Sequence, residues 1–238
     1  MKKIFLYSLM LGLSALCMTS CKDDAEMTDS RLTYYVNLEM QGDAFVQVPI
    51  GTPYVDAGCT ATMNGQDATS RIVTTGLEDI DVNTAGLYTV TYSAINDDGF
   101  SASVERTVAV CDPTVTTDLS GTYAVQAGSY RFWFSSGATV PFSDQTITIK
   151  KAAPGIFSIS DLMGGYYDQK AGYGKSYAMS GYIQLTSDNA INVLSGYVPG
   201  WGDSYDSFSG GYYNPETGEI GYDLEYAGSM LFHIILNK

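Results

Sequence analysis

Short runs of alternating apolar and polar residues, separated by glycine, proline, asparagine and aspartate, dominate this chain from about residue 32 onward. The clearest run is 87–94, where Tyr88, Val90, Tyr92 and Ala94 alternate with Thr89, Thr91 and Ser93. A period of two gives each set its own face of a strand, one buried and one wet. Asn96-Asp97-Asp98-Gly99 follows as a turn, since these residues tolerate left-handed backbone. A return strand over 104–110 places Val104, Val108 and Val110 on one face. Residues 45–51 and 59–62 read as two earlier strands with a Gly/Pro/Asp turn region between them. Short strands at this spacing predict a β-sandwich over 32–111.

Residues 112–118, which begin Asp112-Pro113, read as a linker, and 119–238 as a second β domain. Its candidate strands cover 121–127, 130–134, 146–150, 155–160, 181–186, 190–194, 219–226 and 230–236. In 220–226 the apolar residues Ile220, Tyr222, Leu224 and Tyr226 alternate with Asp223 and Glu225. Asn214-Pro215-Glu216-Thr217-Gly218 supplies a hairpin turn, with Pro and Gly where a turn wants them. About eight antiparallel strands joined by Gly-rich turns fit a barrel or a sandwich. The predicted fold class is all-β.

The first twenty residues break the pattern. Met1-Lys2-Lys3 precedes an apolar run over 4–16, then small and polar residues up to Cys21. A basic start, a short apolar stretch and a small-residue cleavage site define a secretory signal, and the stretch is short of the roughly 20 residues a spanning helix needs. Met18-Thr19-Ser20-Cys21 resembles the bacterial lipobox, which implies cleavage before Cys21 and acylation of its thiol. Cys17 is a poorer acceptor, because Leu16 is too large for the small-residue site. Residues 21–31 then form a tether. Its Lys22-Asp23-Asp24 resembles the acidic export signal of Bacteroidetes lipoproteins, which implies the outer membrane, facing the cell exterior.

Charge narrows the partners. The chain carries 12 basic and 26 acidic residues, a net charge of −14, and cleavage removes Lys2 and Lys3 but no acid. That disfavours nucleic acid and anionic lipid surfaces, both of which are bound through Lys and Arg. The expected membrane contact is the N-terminal lipid alone. Protein partners are not readable.

Three ordered stretches carry a family resemblance. Val48-Pro49-Ile50-Gly51-Thr52-Pro53-Tyr54-Val55-Asp56-Ala57-Gly58, then Gly86 to Ala94 and Arg106 to Val110, resemble the bacterial surface-protein Ig-like domain across roughly 35–111. The pattern departs at Asp98-Gly99-Phe100, where that family commonly has Gly-Asn. The resemblance implies an Ig-like β-sandwich that acts as a spacer, followed by an antiparallel barrel or sandwich. The ending, Tyr226 to Lys238, resembles C-terminal domains of uncharacterised Bacteroidetes lipoproteins. In an Ig-like strand order Cys59 and Cys111 fall at the same end of the sandwich, which implies a disulfide, and export permits one.

The candidate chemistry is aromatic. Gly196-Tyr197-Val198-Pro199-Gly200-Trp201-Gly202-Asp203-Ser204-Tyr205-Asp206 is too rich in Gly and Pro to continue a strand. Gly164-Gly165-Tyr166-Tyr167-Asp168-Gln169 is a second such loop. Sugar rings stack on exposed aromatic faces while carboxylates and amides bond their hydroxyls. Trp201, Tyr197, Asp203, Tyr205, Tyr166 and Tyr167 are therefore the candidate ligand residues, with Trp133 a weaker third centre. The same aromatics would equally cap the end of a β core. Asp203, Asp206 and the 96–99 turn offer oxygens, but not at the spacing of a calcium loop, so no metal or other cofactor is expected. His233 is the single histidine and lies inside the last strand, and no nucleophile elbow, zinc helix or phosphate loop is present.

The expectation is thus a non-catalytic lipoprotein whose C-terminal domain binds polysaccharide or another extracellular ligand. The alternative is a structural or protein-interaction lipoprotein of an outer-membrane assembly.

Overall fold

A computed structural model describes residues 32–238. The signal, Cys21 and the tether at 21–31 lie outside the described residues.

Two sheets form the N-terminal domain. One holds β1 (Val36–Met40), β3 (Cys59–Met63) and β4 (Gln66–Asp67). The other orders β2 (Phe45–Pro49), β7 (Ser101–Cys111), β6 (Gly86–Ile95) and β5 (Val73–Thr75), with β2 parallel to β7. Alternation in β6 buries Val90, Tyr92 and Ala94, and they join Val48, Val108 and Val110 inside. The 96–99 turn closes as expected. Gly99 takes φ +86°, and Asn96 Oδ1 accepts the backbone N–H groups of Asp98 and Phe100 at 3.1 and 2.7 Å.

One core-facing position of β7 holds Arg106, which is 1% exposed. Its guanidinium pairs with the Asp56 carboxylate and bonds the Tyr92 hydroxyl at 3.0 Å and the Asp43 carbonyl at 3.1 Å. Asp56 also accepts the Tyr92 and Tyr54 hydroxyls at 2.5 and 2.7 Å and the Gly58 N–H at 2.9 Å. A buried charge is tolerable when it is paired and its remaining protons are satisfied. Both conditions hold here.

Residues 112–118 are no free linker. Thr114 N–H bonds Asp112 Oδ1 at 2.9 Å, and Val115 and Leu119 bury themselves in the second core. Ala109 and Cys111, on the outer face of β7, pack with Ala153 and Ile156 of the second domain. Gln47 adds a hydrogen bond from Nε2 to the Ala152 carbonyl at 3.0 Å. The two domains therefore share an apolar joint.

Parity also corrects the disulfide. Both Cys59 and Cys111 are free thiols. Val108 and Val110 face the sandwich core, so Cys111 faces away from it into the joint, while Cys59 packs against the sandwich core itself. A shared end of the sandwich does not outweigh this, since Cys59 faces inward from one sheet and Cys111 faces outward from the other.

In the second domain a ten-stranded sheet curls around one core. Its centre is β17 (Met230–Asn237), whose residues alternate buried and half-buried along the whole strand. One edge of β17 pairs with β16 (Ile220–Tyr226), and β16 with β15 (Ser207–Tyr213). The other edge pairs first with β9 (Tyr130–Trp133) and then with β8 (Gly121–Val125). From β8 the sheet continues through β11 (Thr146–Ala153), β12 (Ile156–Ile159), β13 (Ser180–Leu185) and β14 (Ile191–Tyr197). A short β10 (Thr139–Pro141) edges β9. The Ala190–Tyr212 bridge brings the two ends of the curl together. The whole is all-β, an Ig-like domain followed by a curled, barrel-like sheet. The short β10 escaped the sequence pattern, and of β15 only the end at the 214–218 hairpin was legible, because Gly210 and Gly211 interrupt the strand where the register shifts.

Candidate functional site

Trp201 stands on the turn that follows β14. Val198 is fully buried and pins the turn, accepting the Gly202 N–H at 2.8 Å and donating to the Asp203 carbonyl at 2.9 Å. Gly200 lets the turn press onto the 174–177 segment: its N–H reaches the Ser176 carbonyl at 2.6 Å, and a Cβ there would lie 2.7 Å from the Tyr177 ring. The result sets Trp201 among four tyrosine rings. It meets Tyr167 edge-on at 4.7 Å and Tyr177 at 4.9 Å, with Tyr226 at 6.0 Å and Tyr173 at 6.2 Å. Even so, Trp201 is 41% exposed and Tyr173 56%. The two aromatic loops of the sequence therefore meet in one patch at one end of the sheet.

Asp161 builds the second loop. It is 1% exposed, and its carboxylate accepts three backbone N–H groups: Met163 at 2.8 Å, Met179 at 3.0 Å and Gly165 at 3.1 Å. Two left-handed glycines follow, and a Cβ on Gly164 would sit 2.8 Å from Ile234. The chain then enters a wide helical turn, Tyr166–Lys170, closed by the Ala171 N–H on the Tyr166 carbonyl at 2.8 Å. Burial pushes the Asp161 carboxyl up to about 6, against the three N–H bonds, which favour its charged form.

The structure sorts the candidate residues. Tyr166 and Tyr167 are buried at 7% and 8%, which removes them from the ligand face. Tyr166 packs edge-on to Phe142 at 5.1 Å and lies under the Arg131 guanidinium at 4.6 Å. Tyr167 forms the bed beneath Trp201, and its hydroxyl donates to Met230 Sδ at 3.2 Å. For these two rings the core-cap reading holds. Tyr205 is half-buried and packs over Gly196. Tyr197 is 52% exposed on the outer face of β14, opposite Ser180, beside the Trp201 turn rather than under it. Asp203 is exposed, but both its oxygens receive the Tyr226 hydroxyl, at 2.8 and 2.9 Å. Burial first, then Asp203, pushes that hydroxyl well above the ordinary tyrosine range. Trp133 packs against the core beneath Arg131, 4.8 Å from its ring.

Sequence reasoning passed over Tyr173, Tyr177 and Tyr226. The run Tyr173-Gly174-Lys175-Ser176-Tyr177 carried the same Gly-aromatic signal as the two chosen loops. His233 is half-buried on β17, stacked on Tyr130 at 5.0 Å, with Nδ1 2.7 Å from Asp223 Oδ1 on β16. Among the described residues no group of three His, Cys, Asp or Glu could hold a metal ion.

Comparison with known proteins agrees with this two-part plan. The bacterial surface protein Ig-like domain family matches residues 38–110, and a family described as a C-terminal domain matches 112–238. A crystal structure of the lipoprotein BT2262 from Bacteroides thetaiotaomicron is 43% identical, with 86% of this chain and all 100% of that chain covered, at a TM-score of 0.49. Two Clostridium perfringens ZmpB structures are far more distant. One, of CBM51-2 in complex with GlcNAc and INT domains, is 15% identical at a TM-score of 0.27, covering 84% of this chain and 44% of that one. The other, of the M60 catalytic domain with CBM51-1 and CBM51-2, is 14% identical at 0.28, covering 86% and 21%. Likeness that slight sets no constraint on function. No curated protein matches the sequence.

Proposed function

This chain belongs to the family of the Bacteroides thetaiotaomicron lipoprotein BT2262, and from that premise we propose that it is a lipid-anchored, non-catalytic protein of the bacterial surface that binds polysaccharide at Trp201. Anchoring falls to Cys21. The Ig-like domain spaces the second domain from the membrane, and the apolar joint fixes the direction in which the aromatic patch faces.

The observation that carries the ligand reading is the exposure of Trp201. A ring set among four others and intended only for packing would be covered, yet 41% of it meets solvent beside exposed Tyr173. Edge-on support from Tyr167 and Tyr177 fixes its orientation before a ligand arrives, which lowers the ordering cost of binding. Asp203, two residues on, is exposed and holds the Tyr226 hydroxyl, and its remaining lone pairs are offered to sugar hydroxyls.

Two experiments test the two halves. Cys21→Ala is expected to abolish palmitate labelling and to release the protein from the membrane fraction; unchanged labelling would place the lipid elsewhere. Trp201→Ala, in the mature chain without lipid, is expected to weaken binding to glycans selected on an array by about tenfold or more. A wild-type protein that binds nothing on a broad array, or a variant that melts much lower while binding is unchanged, would return Trp201 to a packing role.

A structural or protein-interaction role rests on a different patch. At the far tip of the Ig-like domain Tyr35 and Phe100 are 66% and 51% exposed with ring centroids 5.6 Å apart.

A further inference from the structure

The loop that supports Trp201 has a second side. Asp168, Gln169 and Lys175 turn away from the aromatic patch and line a cavity of about 460 Å³ with Thr146, Thr148, Ser160 and Ser180. Thr148, Ser160 and Ser180 also line a neighbouring cavity of about 530 Å³, whose other walls include Lys150, Ser158, Tyr182 and Ser195. Shared walls make the two a continuous groove over the outer face of β11 to β14. Strand register shows how it is built. Lys150 lies opposite Ser158, Ser158 opposite Tyr182, and Tyr182 opposite Ser195, so one row of polar side chains crosses four strands. In the next row Ser180 stands opposite exposed Tyr197.

We propose that this groove is a second ligand site, which takes an acidic polysaccharide: a hydroxyl-rich chain bearing carboxylate or sulfate groups. Charge is the first reason. The protein is strongly acidic, yet Lys150 and Lys175 stand exposed along one groove and neither forms an ion pair among the described residues. Asp168 is the one carboxylate among the residues that line it. With screening over about 8 Å at physiological salt, such local cations act before the distant net charge is felt. The hydroxyls are the second reason. Serine, threonine and tyrosine both donate and accept, which matches sugar hydroxyls along a chain. The third reason argues against a peptide. Strands β11, β12 and β13, which make most of the groove's floor, are each paired on both sides, so they offer no free edge to add a peptide strand.

This site is separate from Trp201, and its test keeps the two apart. The mature chain is run in native gels that contain polygalacturonate or dextran sulfate, with methyl-esterified polygalacturonate and dextran as uncharged counterparts. Retardation is expected in at least one acidic gel, and which acid acts separates carboxylate from sulfate recognition. It is expected to vanish in the uncharged counterpart and to fade with added salt. Lys150→Glu with Lys175→Glu is expected to weaken it by roughly tenfold or more, while Lys150→Arg with Lys175→Arg and Trp201→Ala retain it. Both lysines are exposed, so an unchanged melting temperature is expected; Lys150→Gln with Lys175→Gln serves as the milder pair should charge reversal perturb the fold. No retardation in either acidic gel, retardation untouched by both the charge-reversing and the neutralising pair, or equal affinity for poly-glutamate would overturn the proposal.

Discussion

Asp56→Ala is expected to destabilise the N-terminal domain by about 3–5 kcal/mol, the usual cost of leaving one member of a buried ion pair alone. Arg106 would stay 1% exposed with only carbonyls and hydroxyls for company, and the Tyr54 and Tyr92 hydroxyls would lose their acceptor. Urea unfolding followed by circular dichroism measures the loss. Replacing both partners separates charge from packing: Asp56→Ala with Arg106→Leu is expected to recover much of it, because no orphan charge remains. A double variant as unstable as the single one would mean that shape, not charge, governs the site. The pH dependence has a definite sign. Burial raises the Asp56 carboxyl, but hydrogen bonds from Tyr92 and Tyr54, with the charge of Arg106, win and hold it below its ordinary value of 3.8. Its contribution is therefore complete above about pH 4 and is lost as pH falls through the depressed value. Asp56→Asn is expected to flatten that acid limb.

Much of this architecture could be read along the chain because β-strands announce themselves by parity. The alternation in β6 and β16 placed their buried faces correctly, and Asn, Gly and Pro marked the hairpins at 96–99 and 214–218. Parity also held information that was passed over. With Val108 and Val110 facing inward, Cys111 had to face outward, which argues against the bridge to Cys59. Arg106 occupies the inward position between Val104 and Val108, where a cation is legible only as an exception that needs a partner. The candidate site was half legible. Glycine-rich loops with aromatics pointed to Trp201 and to 164–169, but nothing local says that two loops about thirty residues apart in sequence will meet. Nor does it say that Tyr166 and Tyr167 turn inward, which depends on left-handed Gly164 and Gly165 and on Phe142, Phe232 and Arg131 being there to receive them. Nothing in the sequence around Asp161 marks it out. Its three N–H partners come from residues as distant as Met179, and only the folded chain assembles them.

Asp161→Ala is accordingly the substitution expected to harm the second domain most. Three buried N–H groups would lose their acceptor, and each such loss typically costs about 1–3 kcal/mol, so about 3 kcal/mol or more is expected in all. The damage would reach function, because residues 162–179 carry Tyr167, Tyr173 and Tyr177, the rings that hold Trp201 in place. Glycan affinity should fall together with stability, whereas Trp201→Ala should reduce affinity alone. The size of the effect should change with pH. Burial pushes the Asp161 carboxyl up to about 6, above its ordinary 3.8, so the folded state takes up a proton that the unfolded chain releases. Stability linked to that proton is complete below about pH 4 and is lost as pH rises through about 6. At pH 5 the wild type still keeps roughly half of it, so the gap to Asp161→Ala should be wider there than near neutrality. At pH 7.5 the wild type itself bears the cost of a buried charge, and the gap should narrow. Asp161→Asn cannot ionise and should lack the slope; its amide still offers an oxygen to Met163 and Met179 but turns a second donor toward Gly165, which places its stability between the other two. Unfolding free energies of the three proteins at pH 5 and 7.5 decide the matter. A wild type whose second domain gains nothing on acidification, or an alanine variant within about 1 kcal/mol of it at pH 5, would show that the loop holds its shape without Asp161.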